Sequence, residues 1–289
     1  MVVPSSGQAG VRGLPALVAF FATVVPLVAA AAPCGQVQVW GSGGTVPKYL
    51  EPPAGLDGVK DVKSGKDAII ALKADGTLAA WGDDGGAGVL AAAAKQTGVK
   101  QLAYNGGKRA GVVKTDGSVE IFGMCVGDFG ACSPPAGLKD VVSLASVNEG
   151  TMFAAVTADG KLHAWGWMMG DLNGTGNGET GFVRLAGGHN YLVGVKADGS
   201  TVGWSNAPWL VKAPEGGKFK DVTGDGSYGY MVYITPEGKA VAWGGAKFLS
   251  GQGDGPVVST TKANVDHIMA LATLANAVLA VRDDGTVVG

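Results

Sequence analysis

Short apolar runs broken by an acidic residue and glycine recur along this chain. ALKADGTLAAWG (71–82) is the clearest copy. VVKTDGSVEIFG ends at Gly123, AVTADGKLHAWG at Gly166, GVKADGSTVGWS at Ser205 and YITPEGKAVAWG at Gly244, and the last copy is AVRDDGTVVG (280–289). Glycine adopts positive φ without steric cost, and Asp tolerates it better than most residues. An Asp-Gly between two β-prone runs therefore predicts a hairpin. The glycines fall at Gly76, Gly117, Gly160, Gly199, Gly238 and Gly285, and the closing aromatics at Trp81, Phe122, Trp165, Trp204 and Trp243. VQVWG (37–41) puts Trp40 in the same phase. Aromatics that recur with the period are expected in the core or between repeats. A period of about 40 residues with about four short strands predicts a propeller or a β-solenoid.

A second pattern precedes each hairpin at a steady offset. It reads GVKDV (58–62), GVKQL (98–102), DVVSL (140–144), GFVRL (181–185), KFKDV (218–222) and HIMAL (267–271). Apolar and polar residues alternate, as in a half-buried strand. Each repeat thus reads as a strand, a small-residue loop and a two-stranded hairpin. A weaker fourth strand is expected in the Gly-rich segment that follows, for example at 44–47 or 88–90. The Asp-Gly tips lie on one face by strand parity. The small loops and the segments after each Trp-Gly lie on the other. That second face collects Tyr104, Phe129, Asn148, Trp167, Met168, Met169, Asp171, His189, Trp209, Asp225, Tyr228 and Phe248.

With PPAGL at 52–56 and again at 134–138, the repeating unit resembles the regulator of chromosome condensation repeat. It is most similar to the compact secreted version found in β-lactamase inhibitory protein type II and related bacterial propellers. The resemblance spans roughly Val37 to Gly289. It implies an all-β, protein-binding β-propeller, usually of seven blades. Six units are detectable here, and a seventh would need about 40 more residues. The expectation is therefore six blades, with seven as the alternative.

Residues 1–33 differ in kind. Arg12 is their one charge, and an apolar Ala- and Val-rich stretch (14–32) ends in AAAA before Pro33. That pattern fits a secretory signal, with an uncleaved membrane anchor as the rival. The propeller is then 34–289, and the protein is expected to be secreted or extracytoplasmic, in a periplasm or at a cell surface. It meets a membrane only if the leader stays attached. Beyond residue 33 there are 21 basic and 24 acidic residues, a net charge of −3. This is no electrostatic footprint for nucleic acid, and it departs from the nuclear members of the family.

Of three cysteines, Cys125 and Cys132 stand close together in CVGDFGAC, and Cys34 is left over. A close pair in a secreted chain reads as a disulfide. Closing so short a loop contributes roughly 2.5 kcal/mol by loop-closure entropy. Two thiols without a nearby His make a poor zinc site. Asn173, Gly174 and Thr175 form a glycosylation sequon, meaningful only in a eukaryotic secretory route. The three histidines, His163, His189 and His267, join no H-E-x-x-H, Walker or Ser-His-Asp pattern. No cofactor and no catalytic or metal residues are expected.

The expected function is that of a non-enzymatic monomer that binds a protein partner through one loop face. Trp167, Met168, Met169 and Trp209 do not recur with the period, and interface cores favour such residues. They are joined as candidate contacts by Tyr104, Phe129, Asp171, Asp225 and Tyr228. A lectin-like propeller that stacks sugars on Trp167 and Trp209 is the alternative.

Overall fold

Each acidic-Gly repeat closes a hairpin, and each hairpin carries a third strand on its inner edge. The computed structural model describes residues 48–65, 67–167, 178–189, 191–205, 216–224, 230–244, 268–274, 277–282 and 287–288. All of them belong to the unit Pro33–Gly289. The leader, Cys34, Trp40, the 44–47 segment and the sequon lie outside the described residues. The first sheet is β1 (Val59–Ser64), β2 (Ala68–Lys73) and β3 (Leu78–Gly82). The second is β4 (Val99–Ala103), β5 (Arg109–Lys114) and β6 (Val119–Gly123). The third is β7 (Val141–Val147), β8 (Met152–Thr157) and β9 (Leu162–Gly166). The fourth is β10 (Phe182–Gly187), β11 (Tyr191–Lys196) and β12 (Thr201–Ser205). The fifth is β13 (Asp221–Gly224), β14 (Tyr230–Ile234) and β15 (Ala240–Gly244). The sixth is β16 (Ile268–Leu274), β17 (Ala277–Arg282) and β18 (Val287–Val288). All pairings are antiparallel.

The first strands line the middle. β1 lies against β4, β4 against β7, β7 against β10, β10 against β13, β13 against β16, and β16 against β1. Among the described residues six sheets thus close a ring, with first strands innermost and third strands outermost.

The core is a series of interfaces between neighbouring sheets. In β2, β5, β8 and β11 the first five residues are all buried. A strand covered on both faces reads as a continuous apolar run rather than as an alternation. Ile70 and Leu72 pack with Leu102 and Val112, and Val113 and Ile121 with Leu144 and Phe153. Val156 and Leu162 pack with Phe182 and Leu192, and Tyr191 and Val193 with Phe219 and Tyr233. Phe122, Trp165 and Trp204 are buried in these seams, and Trp81 is buried against its own sheet beside Val59 and Ile69, in the core as its recurrence predicts. Truncating such an aromatic costs about 3–5 kcal/mol.

Polar staples run between the same neighbours. The register slips at one place in five inner strands, at Val59/Asp61, Val99/Gln101, Val141/Ser143, Phe182/Arg184 and Ile268/Ala270. A bulge re-aims the side chains beside it. Three of the residues past the slip reach the next sheet. Gln101 Nε2 donates to the Leu144 carbonyl at 3.2 Å, and its Oε1 accepts from the Leu144 N–H at 3.0 Å. Ser143 Oγ accepts from the Leu185 N–H at 3.0 Å, and Arg184 Nη2 donates to Asp221 Oδ2 at 2.9 Å.

The hairpin tips contribute too. The Gly76 N–H donates to the Lys73 carbonyl and the Lys73 N–H to the Thr77 carbonyl, which is a type I turn closed by a left-handed glycine. Only the glycine takes positive φ, +79° at Gly76. The Asp has another role: Asp75 Oδ1 accepts from the Thr77 N–H at 2.9 Å and from its hydroxyl at 2.6 Å. The glycine carbonyl then accepts from an N–H at or just before the first strand of the next sheet. Val99 donates to Gly76, Val141 to Gly117, Phe182 to Gly160 and Phe219 to Gly199.

The fourth strand expected at 88–90 is not formed. Gly88, at φ +74°, instead opens a short helix α1 (Val89–Ala93), and Asp84 Oδ2 accepts from the Leu90 N–H at 3.0 Å. The alanine run that follows favours helix over strand. α1 lies against both β3 and β6. Among the described residues no helix is long and apolar enough to cross a membrane.

Candidate interaction face

On the side opposite the Asp-Gly tips, the connection after β6 is the CVGDFGAC loop. Cys125 and Cys132 are joined by a disulfide, with Cα atoms 5.7 Å apart. Inside the ring, Asp128 organises the turn. Its Oδ1 accepts from the Gly130 N–H at 3.1 Å and its Oδ2 from the Cys132 N–H at 2.7 Å. These two bonds, that to Cys132 first, hold the Asp128 carboxyl below the usual carboxylate range. The Cys125 and Cys132 sulfurs and an Asp128 oxygen lie within 4.8 Å of one another, a spacing suited to a metal. The sulfurs are spent on each other, however, and the carboxylate on two backbone N–H groups.

The loop displays apolar side chains. Val126 is 88% exposed and Phe129 68%. Phe129 sits at φ +54°. For an aromatic residue this left-handed conformation costs about 1–2 kcal/mol and persists only where the surroundings impose it. The Phe129 ring meets Trp167, just past β9, with centroids 5.4 Å apart and planes tilted by 36°. Trp167 is 56% exposed, and its backbone N–H donates to the Thr151 carbonyl at 2.8 Å. Two sheets thus contribute one exposed aromatic pair.

Beside this pair the small loop between β7 and β8 has three consecutive left-handed residues, Asn148, Glu149 and Gly150. The Asn148 N–H donates to the Gly188 carbonyl at 2.8 Å, and Glu149 Oε1 lies 3.7 Å from His189 Nδ1. Arg109, at the start of β5, is buried, and its Nη1 donates to the Gly150 carbonyl at 3.4 Å. Its Nε has no partner among the described residues. His163, on β9, is held below the usual imidazole range by burial first and then by Lys161.

Of the nine residues expected to make contacts, Phe129 and Trp167 are exposed and touch. Tyr104 is buried instead, packed in the seam between the first two sheets, so its ring is not presented on this face. Burial pushes its hydroxyl up to about 12. Met168, Met169, Asp171, Trp209, Asp225 and Tyr228 lie outside the described residues, as does Phe248. Val126 and the buried Arg109 escaped the sequence reading, which named Phe129 but not its left-handed backbone. Phe129 had a signal, since an aromatic between Asp and Gly inside a cystine ring has little room to turn inward.

No known family's sequence pattern matches the chain, and no curated protein does. Solved structures do. Prp20p from Saccharomyces cerevisiae, studied with its binding to Gsp1p and histones, is 18% identical over 65% of this chain and 58% of its own, with a TM-score of 0.51. The chain has the fold of a β-propeller. Yeast RCC1 (Prp20) bound to Kap60 matches at 17% identity over 65% of this chain and 56% of its own, TM-score 0.49. The CRINKLY WD40 ectodomain of the Arabidopsis thaliana receptor kinase ACR4 matches at 20% identity over 64% of this chain and 63% of its own, TM-score 0.46. The chain covers less than two thirds of each of these structures.

Proposed function

We propose that this propeller is a secreted or extracytoplasmic, non-enzymatic monomer that binds a protein partner through the face opposite its Asp-Gly tips. Phe129 and Trp167 are its anchor. The carrying observation is the Phe129–Trp167 pair, both rings more than half exposed, with Phe129 held on a left-handed backbone inside a disulfide ring. Exposed aromatics held rigid lose little entropy on docking, and such anchors carry much of the energy of a protein interface. The disulfide and the leader pattern support an oxidising compartment. Prp20p, which shares the fold, has protein partners of its own. The resemblance to β-lactamase inhibitory protein type II makes a β-lactamase one partner to screen, although no specific contact carries over.

The test is capture from the source's secreted or periplasmic fraction, comparing the wild-type domain with Phe129→Ala/Trp167→Ala. The double variant keeps its β circular dichroism and loses the partner. Retention of the partner removes these residues from the site. Loss of the partner on Lys161→Glu alone, at an Asp-Gly tip, moves the site to the other face. A glycan array bound by the wild type and not by the double variant replaces the protein partner with a sugar.

A further inference from the structure

The clamp on Phe129 is a bond that a reductant can open. We infer that the Cys125–Cys132 disulfide is a redox gate on this face: the oxidised protein displays the Phe129–Trp167 anchor, and the reduced protein does not. What the anchor is for rests on the protein-binding reading above. The change of order at the loop does not.

Access comes first. Cys125 is exposed, and Cys132 is partly buried against the seam between the second and third sheets. A dithiol can therefore reach the bond from the Cys125 side. One reductant thiolate attacks a cystine sulfur, and the other sulfur leaves as a thiolate and takes a proton. The second reductant thiol then closes on the mixed disulfide. Two electrons and two protons end on the cysteines, and the reductant ends as its cyclic disulfide.

The consequence is local because both ends of the loop are anchored independently of the bond. The Met124 N–H donates to the Lys108 carbonyl at 2.9 Å. At the other end Ala131 is fully buried, and its carbonyl accepts from the Trp165 indole N–H at 2.9 Å. Between these points the hold is weak. Among the described residues, the hydrogen bonds of residues 126–130 reach only residues 128–133. The contact to the third sheet is the Phe129 ring on Trp167, itself more than half exposed. A left-handed aromatic residue needs outside constraint to persist. With the covalent closure gone, Phe129 relaxes to negative φ and its ring leaves Trp167. Oxidation rebuilds the pair, since the anchored ends keep the two sulfurs near each other.

The test uses the full chain in buffer containing a chelator, so that no metal ion bridges the two thiols. Peptides are selected from a display library on the oxidised protein, and their affinities are remeasured after reduction with dithiothreitol. Hydrogen exchange of residues 126–132 is followed in parallel. Reduction is expected to weaken the peptides at least about tenfold and to speed exchange at Gly130, Ala131 and Cys132 by a similar factor. Exchange in β7, β8 and β9 stays unchanged, and reoxidation restores both signals. Cys125→Ser/Cys132→Ser matches the reduced protein, and where that variant folds poorly the reduced wild type decides. Equal peptide affinity in both redox states, with mass confirming the open bond, overturns the gate. So does unchanged exchange in 126–132. Peptides that bind Phe129→Ala as well as wild type count against the protein-binding reading, while the exchange arm still decides the gate.

Discussion

The two faces of this ring are built from the same repeat and put it to opposite uses. On the Asp-Gly face every feature of the tip is consumed internally. The glycine takes the left-handed turn, its carbonyl receives the next sheet, and the Asp caps the turn. Little there is free to vary, so the tips repeat. On the opposite face the connections also bridge neighbouring sheets, as Asn148 does to Gly188 and Arg109 to Gly150, but these bonds do not recur from repeat to repeat, and the connections differ from one another. One is a helix, and another is a disulfide ring that displays two apolar side chains. A face stapled the same way in repeat after repeat confers stability, while connections that share no common bond can specialise.

Gly117→Ala tests this contrast with the largest expected effect on stability. Gly117 has φ +80°, and a Cβ there would sit 2.9 Å from the Asp140 Cα. Left-handed strain and the displaced neighbour together cost about 2–4 kcal/mol. Urea unfolding should show it, with the affinity of the folded protein for its partner unchanged. Opening the disulfide by Cys125→Ser/Cys132→Ser comes next, at about 2.5 kcal/mol or less, and unlike Gly117→Ala it also weakens binding. Gly127→Ala, on the open face, sharpens the comparison. Its φ is +66°, but no atom lies within 4 Å of the added Cβ. Only the backbone strain remains, about 1 kcal/mol. A cost for Gly127→Ala equal to that for Gly117→Ala would show that the tips are turns and not staples.

Acid gives the smallest effect. Asp75, Asp116 and Asp159 are held below the ordinary carboxylate range by hydrogen bonds from Thr77, Ser118 and Thr157, and Asp198 is lowered to about 2, chiefly by the Ser200 hydroxyl. Their folded values lie below the unfolded one. The stability they contribute is therefore fully present above about pH 4 and is lost as the pH falls towards 2. The melting temperature should drop across that window, and Asp198→Asn should lessen the drop slightly. All four groups are open to solvent, so salt should weaken the effect as well.

The architecture was legible because it is periodic. One ambiguous hairpin such as 71–82 becomes clear when its Gly and Trp recur in phase. The seams were legible too, because Phe122, Trp165 and Trp204 recur where sheets meet. Two things were misread for local reasons. Asp75 looked like a partner in left-handed turn geometry, yet its side chain does the work by capping Thr77. The 88–90 segment looked like a fourth strand, yet its alanines prefer a helix once Gly88 and Asp84 start one. The face itself was only partly legible. Strand parity placed Tyr104 and Phe129 on the same side, but parity does not say whether a loop residue turns inward. Tyr104 does, filling the seam beside Leu102, while the cystine ring and Asp128 hold Phe129 outward.

The central claim is that stability and binding are divided between the two faces. The direct measurement is the unfolding free energy together with the dissociation constant for a selected peptide or partner, on Phe129→Ala/Trp167→Ala. The account predicts a loss of affinity of at least about 30-fold, since exposed anchors of this kind contribute about 2 kcal/mol or more. It also predicts a change in unfolding free energy within about 0.5 kcal/mol, as for surface substitutions. An unchanged dissociation constant with stability lowered by as much as in Gly117→Ala would contradict it, and would make the aromatic pair another staple between sheets.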